Sequence, residues 1–267
     1  MQAWLGLDQL SLVVRSFDVY PELTWIIRRD MAGQVQRLAQ NSFESNASLT
    51  NLFTTSTSWV TDELAEFYGV PTSAASPDAE GFKEITLPET YGGGLLSTGA
   101  ILTTHALSDS SSPIHRGLLV RERMLCHELP PPPENLDTSP PEMDPNLSTR
   151  ERYSQHSTDA ACSGCHRLID PIGFAFEHFD GIGRYRAADG PHPIDDSGEI
   201  VASIQTDGPI EGVAGLSTHL SASQEVRDCF IQQWTTYLWG LSEEPALESS
   251  LHPLSETFGE NNQQLQS

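Results

Sequence analysis

Two of the four cysteines in this 267-residue chain stand in Cys162-Ser163-Gly164-Cys165-His166, two residues apart with a histidine directly after the second. Three chemistries compete for such a trio. Thiols at this spacing on one turn reach the two vinyl groups of a haem and form thioethers, and the adjacent histidine offers its imidazole to the iron from the same side. A zinc site needs four ligands, usually with a second close pair; Cys126 and Cys229 are singletons, and His156 and His178 lack paired spacing. A thioredoxin-like redox pair belongs in a βαβ setting, whereas the surroundings here read as helix and loop. Spacing favours haem c tethered to Cys162 and Cys165, with His166 as the proximal iron ligand.

The opposite face of such a haem has three candidates. His156 ends the helix leading into the attachment loop, Met143 lies among prolines, and His178 follows Glu177 in an aromatic-rich segment. His156 is the expected distal metal ligand, ahead of Met143 and an open site. Arg184 and Arg186, among the few cations near the motif, are candidate partners for a haem propionate because a guanidinium fork matches a carboxylate. A surface salt bridge explains each equally well. Asp170 before Pro171 and Asp180 before Gly181 read as turn formers, ahead of a proton-handling role shared with Glu177. Ser110 to Ser112 with His105 or His115 form no nucleophile elbow and read as capping and turn chemistry. The acidic run from Asp189 to Glu199 does not match a calcium loop and reads as a solvated hairpin turn.

Helical elements must position these residues. Leu23, Ile27, Met31, Val35 and Leu38 form a helical stripe. Thr61 to Tyr68 reads as a helix stopped at Gly69-Val70-Pro71. "YGGGLLSTGAILTTHA" has neither a Gly-Lys-Ser/Thr ending nor GxGxxG, so it reads as a tight turn into a buried helix. A helix over Ile114 to Leu129 runs into Pro130 to Pro133, which with Pro140, Pro141 and Pro145 make an extended connector. Another helix lies near Thr149 to His156. The last strong helix has Ser221 and Gln224 as a capping box, a stripe of Val226, Phe230, Trp234, Tyr237 and Leu238, and Gly240 as C-cap. The acidic sequence after Ser242 reads as a mobile tail.

Composition narrows the partners. Fourteen Lys plus Arg against 37 Asp plus Glu give a formal net charge of −23. Such a surface repels phosphate backbones and anionic lipid, which argues against nucleic acid and favours a partner with a basic docking surface. No apolar run approaches the ~20 residues of a membrane span.

"CSGCHRLIDPIGFAFEHFDGIGRYR" resembles the C-terminal haem-binding segment of the planctomycete-type cytochrome c proteins built from tandem domains of unknown function. "YGGGLLSTGAILTTHALSDSSSPIHRGLLVRERMLCHELPPPP" resembles their middle domain, and "WLGLDQL" through "STSWVTDELAEFYGVP" the end of the domain before it. The resemblance implies a mainly α protein of helical domains with long loops: a helical domain at 1–78, a middle domain at 79–148 ending in the proline connector, a haem c domain at 149–245 and a tail at 246–267. It also implies upstream parts, including the secretion signal that "MQAWLGLDQLSLVV" lacks, and a periplasmic or extracellular location. With haem holding two cysteines, Cys126 and Cys229 remain as an even pair, and an oxidising compartment permits their disulfide; the alternative is two buried free thiols. The expected role is electron transfer to or from a redox partner protein, or electron entry into a larger oxidoreductase. A haem enzyme with an open iron position and a scaffold with a mainly structural haem are the alternatives.

Overall fold

The computed structural model describes residues 4–132, 138–154, 162–240 and 245–266. About 48% of the chain is helical, and the strands among the described residues form three antiparallel pairs, so the protein is mainly α. Helix α1 (Trp25–Glu44) starts where the Thr24 hydroxyl accepts from the Ile27 N–H, and it buries Ile27, Met31, Val35 and Leu38. After the short α2 (Leu49–Thr54), Thr61 caps α3 (Asp62–Tyr68) and Gly69 ends it at a left-handed φ of 67°. Polar side chains lock these elements together inside the core: Thr61 donates to the fully buried Asp30 at 2.6 Å, and Tyr68 donates to Gln34 at 2.9 Å. Between them β1 (Thr57–Val60) pairs with β2 (Lys83–Thr86). The three glycines Gly92 to Gly94 then turn the chain into a 3-10 segment, Gly94–Ser97, and the buried α4 (Gly99–Thr104).

Ser112 caps α5 (Pro113–Leu118), which passes directly into a π-helical stretch, Leu119–Met124. The helix thus ends short of Leu129, its expected limit, because Cys126 adopts a left-handed φ of 52°. Beyond the prolines come α6 (Thr149–Ser154) and α7 (Ser163–Phe174), then the hairpin β3 (Ala188–Asp189) and β4 (His192–Pro193) in the acidic run. A second hairpin, β5 (Ser197–Ile200) with β6 (Gly208–Glu211), leads into α8 (Gly212–Ala222).

Helix α9 (Gln224–Trp239) is capped by Ser223, which accepts from the Val226 N–H. Ser221 belongs to α8, so the expected capping box is displaced by a turn between two helices that sequence periodicity runs together. Gly240 ends α9 at φ 60°. The expected stripe on α9 holds at its start, where Val226 and Phe230 are buried, and fails at its end, where Tyr237 and Leu238 are 72% and 62% exposed. The stretch read as a tail carries α10 (Pro245–Glu260), whose Leu251 and Phe258 are buried, Phe258 stacking on Phe230 at 5.9 Å. Buried apolar residues from Leu5 to Phe258 form one continuous cluster. No helix among the described residues is long and apolar enough to cross a membrane.

Candidate functional site

Two glycines set α7 against α5. A Cβ at Gly117 would strike the Ile169 carbonyl, and one at Gly173 would strike the Pro113 carbonyl, so the helices meet backbone to backbone and run in opposite directions. Alanine ordinarily favours a helix over glycine by up to ~1 kcal/mol. Here Gly173→Ala should instead destabilise the protein by about 1–3 kcal/mol, the usual cost of overpacking, read as a lower urea midpoint. A midpoint that rises would contradict the contact.

That approach turns another face of α7 toward a cavity of about 430 Å³. Cys162, Cys165, His166 and Ile169 line it from the α7 side. Ile114, His115 and Leu118 of α5, the prolines Pro130 to Pro132 and Tyr153 of α6 complete much of the wall. The stretch that reads in sequence as a connector is therefore also a wall. Neither thiol is in a disulfide, and both are half-buried. Arg121 braces this helix from behind, its Nε donating to the Leu168 carbonyl at 3.1 Å while other guanidinium N–H groups reach the Val201 and Ala202 carbonyls.

Asp170 is the residue that sequence reading misjudged. It is not in a turn but inside α7, 2% exposed, one helical turn after His166. Pro171, also inside α7, deprives the helix of one N–H without ending it. The His166 Nδ1–H donates to both Asp170 oxygens, at 3.0 and 3.1 Å. This bond fixes the tautomer that places the lone pair on Nε2 and makes the imidazole more basic. The carboxylate raises the His166 pKa above its ordinary value, against the opposing effect of burial. The only signal in the sequence was the i, i+4 spacing of His166 and Asp170, which the following proline masked.

The other sequence candidates are dispersed. Arg184 pairs with Asp180 at 3.0 Å and Glu22 at 3.3 Å and lies over the Phe67 ring; it is not part of the cavity wall. Met143 is 59% exposed, its sulfur accepting from Arg152 at 3.0 Å. His178 stacks on Tyr185 and bonds the Arg186 carbonyl through Nδ1 at 2.9 Å. Glu177 is buried against Arg186, 2.6 Å away, and Ser111. His156 lies outside the described residues. Among the described residues, no group of three or more His, Cys, Asp or Glu side chains is placed to hold a metal ion on its own.

Cys126 and Cys229 form a disulfide, with their Cα atoms 5.5 Å apart and a sequence separation of 103. The bridge ties the end of the α5 segment, just before the proline wall, to α9.

Residues 92–189 match the family described as PSCyt3, protein of unknown function (DUF1588), and residues 1–70 match PSD4, protein of unknown function (DUF1592). The first match contains α4 to α7 and the Cys-x-x-Cys-His motif. No curated protein and no solved structure matches the chain. The chain carries a DUF1592 domain and a DUF1588 domain, families known from planctomycete-type cytochrome c proteins.

Proposed function

We propose that this chain is an extracytoplasmic c-type haem protein that passes electrons, with Cys162 and Cys165 as the covalent tethers and His166 as the proximal ligand. The observation that carries this reading is the convergence of both thiols and the Asp170-anchored imidazole on one largely apolar cavity. The residues suit the group. Thiols outside a disulfide are the species that add to vinyl groups, and a histidine held through Nδ1 presents Nε2 as the ligating nitrogen. When bound, haem supplies a one-electron iron couple. The chain's own residues set its environment: apolar side chains of α5 and the proline wall limit water, and Asp170 strengthens His166 as a donor. A disulfide joining Cys126 to Cys229 accords with the same oxidising compartment. With a net charge of −23, the expected electron partner docks through a basic surface.

An equilibrium redox titration of the haem-matured protein tests this role. The expected result is a reversible one-electron couple. An iron that fails to reduce and reoxidise reversibly would leave the proposal without its function. In the same titration, Asp170→Ala should retain the covalent haem but show a raised potential, because a less basic imidazole stabilises ferric iron less. An unchanged potential would reduce Asp170 to a structural role.

A further inference from the structure

The cavity holds a second imidazole. His115, from α5, lines the same wall as His166 from α7, and it is exposed although its helix neighbours Arg116 and Gly117 are buried. Its Nδ1 is tied back to its own helix: Ser112 Oγ lies 2.7 Å away and, as N-cap, also accepts the His115 backbone N–H at 3.2 Å. Tyr153 of α6 lines the same wall. One hydroxyl has one proton to give and two lone pairs. Both lone pairs of Ser112 Oγ can serve His115, one accepting its backbone N–H and the other its Nδ1–H, which leaves the ring's own lone pair on Nε2. That nitrogen makes no hydrogen bond among the described residues. This is the arrangement that orients a metal-ligating histidine: one nitrogen held by an outer partner, the other presented.

We propose that His115 is the second protein ligand of the iron, held by Ser112, so that the two imidazoles come from the two helices that Gly117 and Gly173 lock together. The inference rests on the haem reading above and assigns the iron's second protein ligand. It differs from the sequence expectation of His156. It also favours electron transfer over catalysis, because a position filled by a strong protein ligand is closed to peroxide or substrate.

The test uses the full chain matured with haem, with attachment in each variant first established by denatured mass. Wild type should be low-spin in both oxidation states and bind no carbon monoxide. His115→Ala should be high-spin, bind carbon monoxide in the ferrous state, and return to low spin when imidazole is added; His156→Ala should remain low-spin. His115→Met supplies a second readout, since a sulfur-to-iron charge-transfer band appears only if position 115 reaches the iron. A haem-loaded His115→Ala protein that stays low-spin, or a wild type that is already high-spin, overturns the assignment while leaving covalent attachment intact. A wild-type mass equal to the bare chain removes the haem reading itself.

Discussion

Replacing Cys126 and Cys229 together with serine should lower the stability of the folded chain by several kcal/mol, the largest single effect expected here. The bridge spans 103 residues, and in the chain-entropy treatment a loop of that size is worth about 4.7 kcal/mol through restriction of the unfolded chain. Its position adds a local consequence. The closed loop contains the proline wall, α6, α7 and the hairpins, and the bridge itself fixes the wall's first residues to α9. The double variant should therefore unfold at a lower urea concentration, and the cavity segment should become more susceptible to proteolysis than α1. A midpoint indistinguishable from wild type, with an unchanged slope, would mean that the bridge constrains nothing the fold does not already hold.

Arg116→Met should cost about 4 kcal/mol, although the change removes a charge and preserves much of the volume. Arg116 is fully buried and acts as a hub for backbone carbonyls. Its guanidinium donates to Phe176 at 3.1 Å, Phe179 at 2.8 Å, Asp180 at 2.6 Å and Leu102 at 3.3 Å. Burial pulls its pKa down to about 10, so it remains charged at neutral pH. Hydrogen bonds to a charged donor contribute roughly 1.5–3 kcal/mol each, and non-additivity brings the sum of four below their simple total. The loop it gathers follows directly on α7, so the variant should also loosen the end of that helix. Arg116→Lys should recover little, because one ammonium cannot direct donors along four separated directions. Thermal unfolding measures both variants; a loss under 1 kcal/mol for Arg116→Met would show that the loop carbonyls find water or other donors.

The two arginine hubs also show why part of this structure was hidden from sequence reading. Arg116 and Arg121 are interleaved among leucines on α5 and its π-helical extension, and their main-chain acceptors lie 14 to 81 residues away in sequence. A main-chain acceptor leaves no trace in residue identity. The Cys-x-x-Cys-His trio, by contrast, was legible because its chemistry is carried by residue type and spacing alone. The α1 stripe and the glycine ends of α3 and α9 were legible for a similar reason: helical periodicity and left-handed caps are local. Asp170 fell between these cases. Its i, i+4 relation to His166 is local, but Pro171 signalled a break, and tertiary packing, above all that of Gly173 and Gly117 across two helices, carries α7 past it. The proline stretch was visible as an extended segment, yet its service as a cavity wall depends on the disulfide and on α6, both brought in from elsewhere in the chain. The exposed end of α9, with Tyr237 and Leu238 facing outward, shows the same limit in reverse: a continuous apolar stripe says nothing about where the core beneath it stops.

Electron transfer by this chain depends on the covalent link at Cys162 and Cys165, and the intact mass of the denatured protein after export with haem-maturation machinery tests that link most directly. The predicted result is a single species heavier than the polypeptide by one haem, lost when Cys162 and Cys165 are both changed to alanine. A wild-type mass equal to that of the bare chain, under conditions where a control c-type cytochrome is matured, would contradict it.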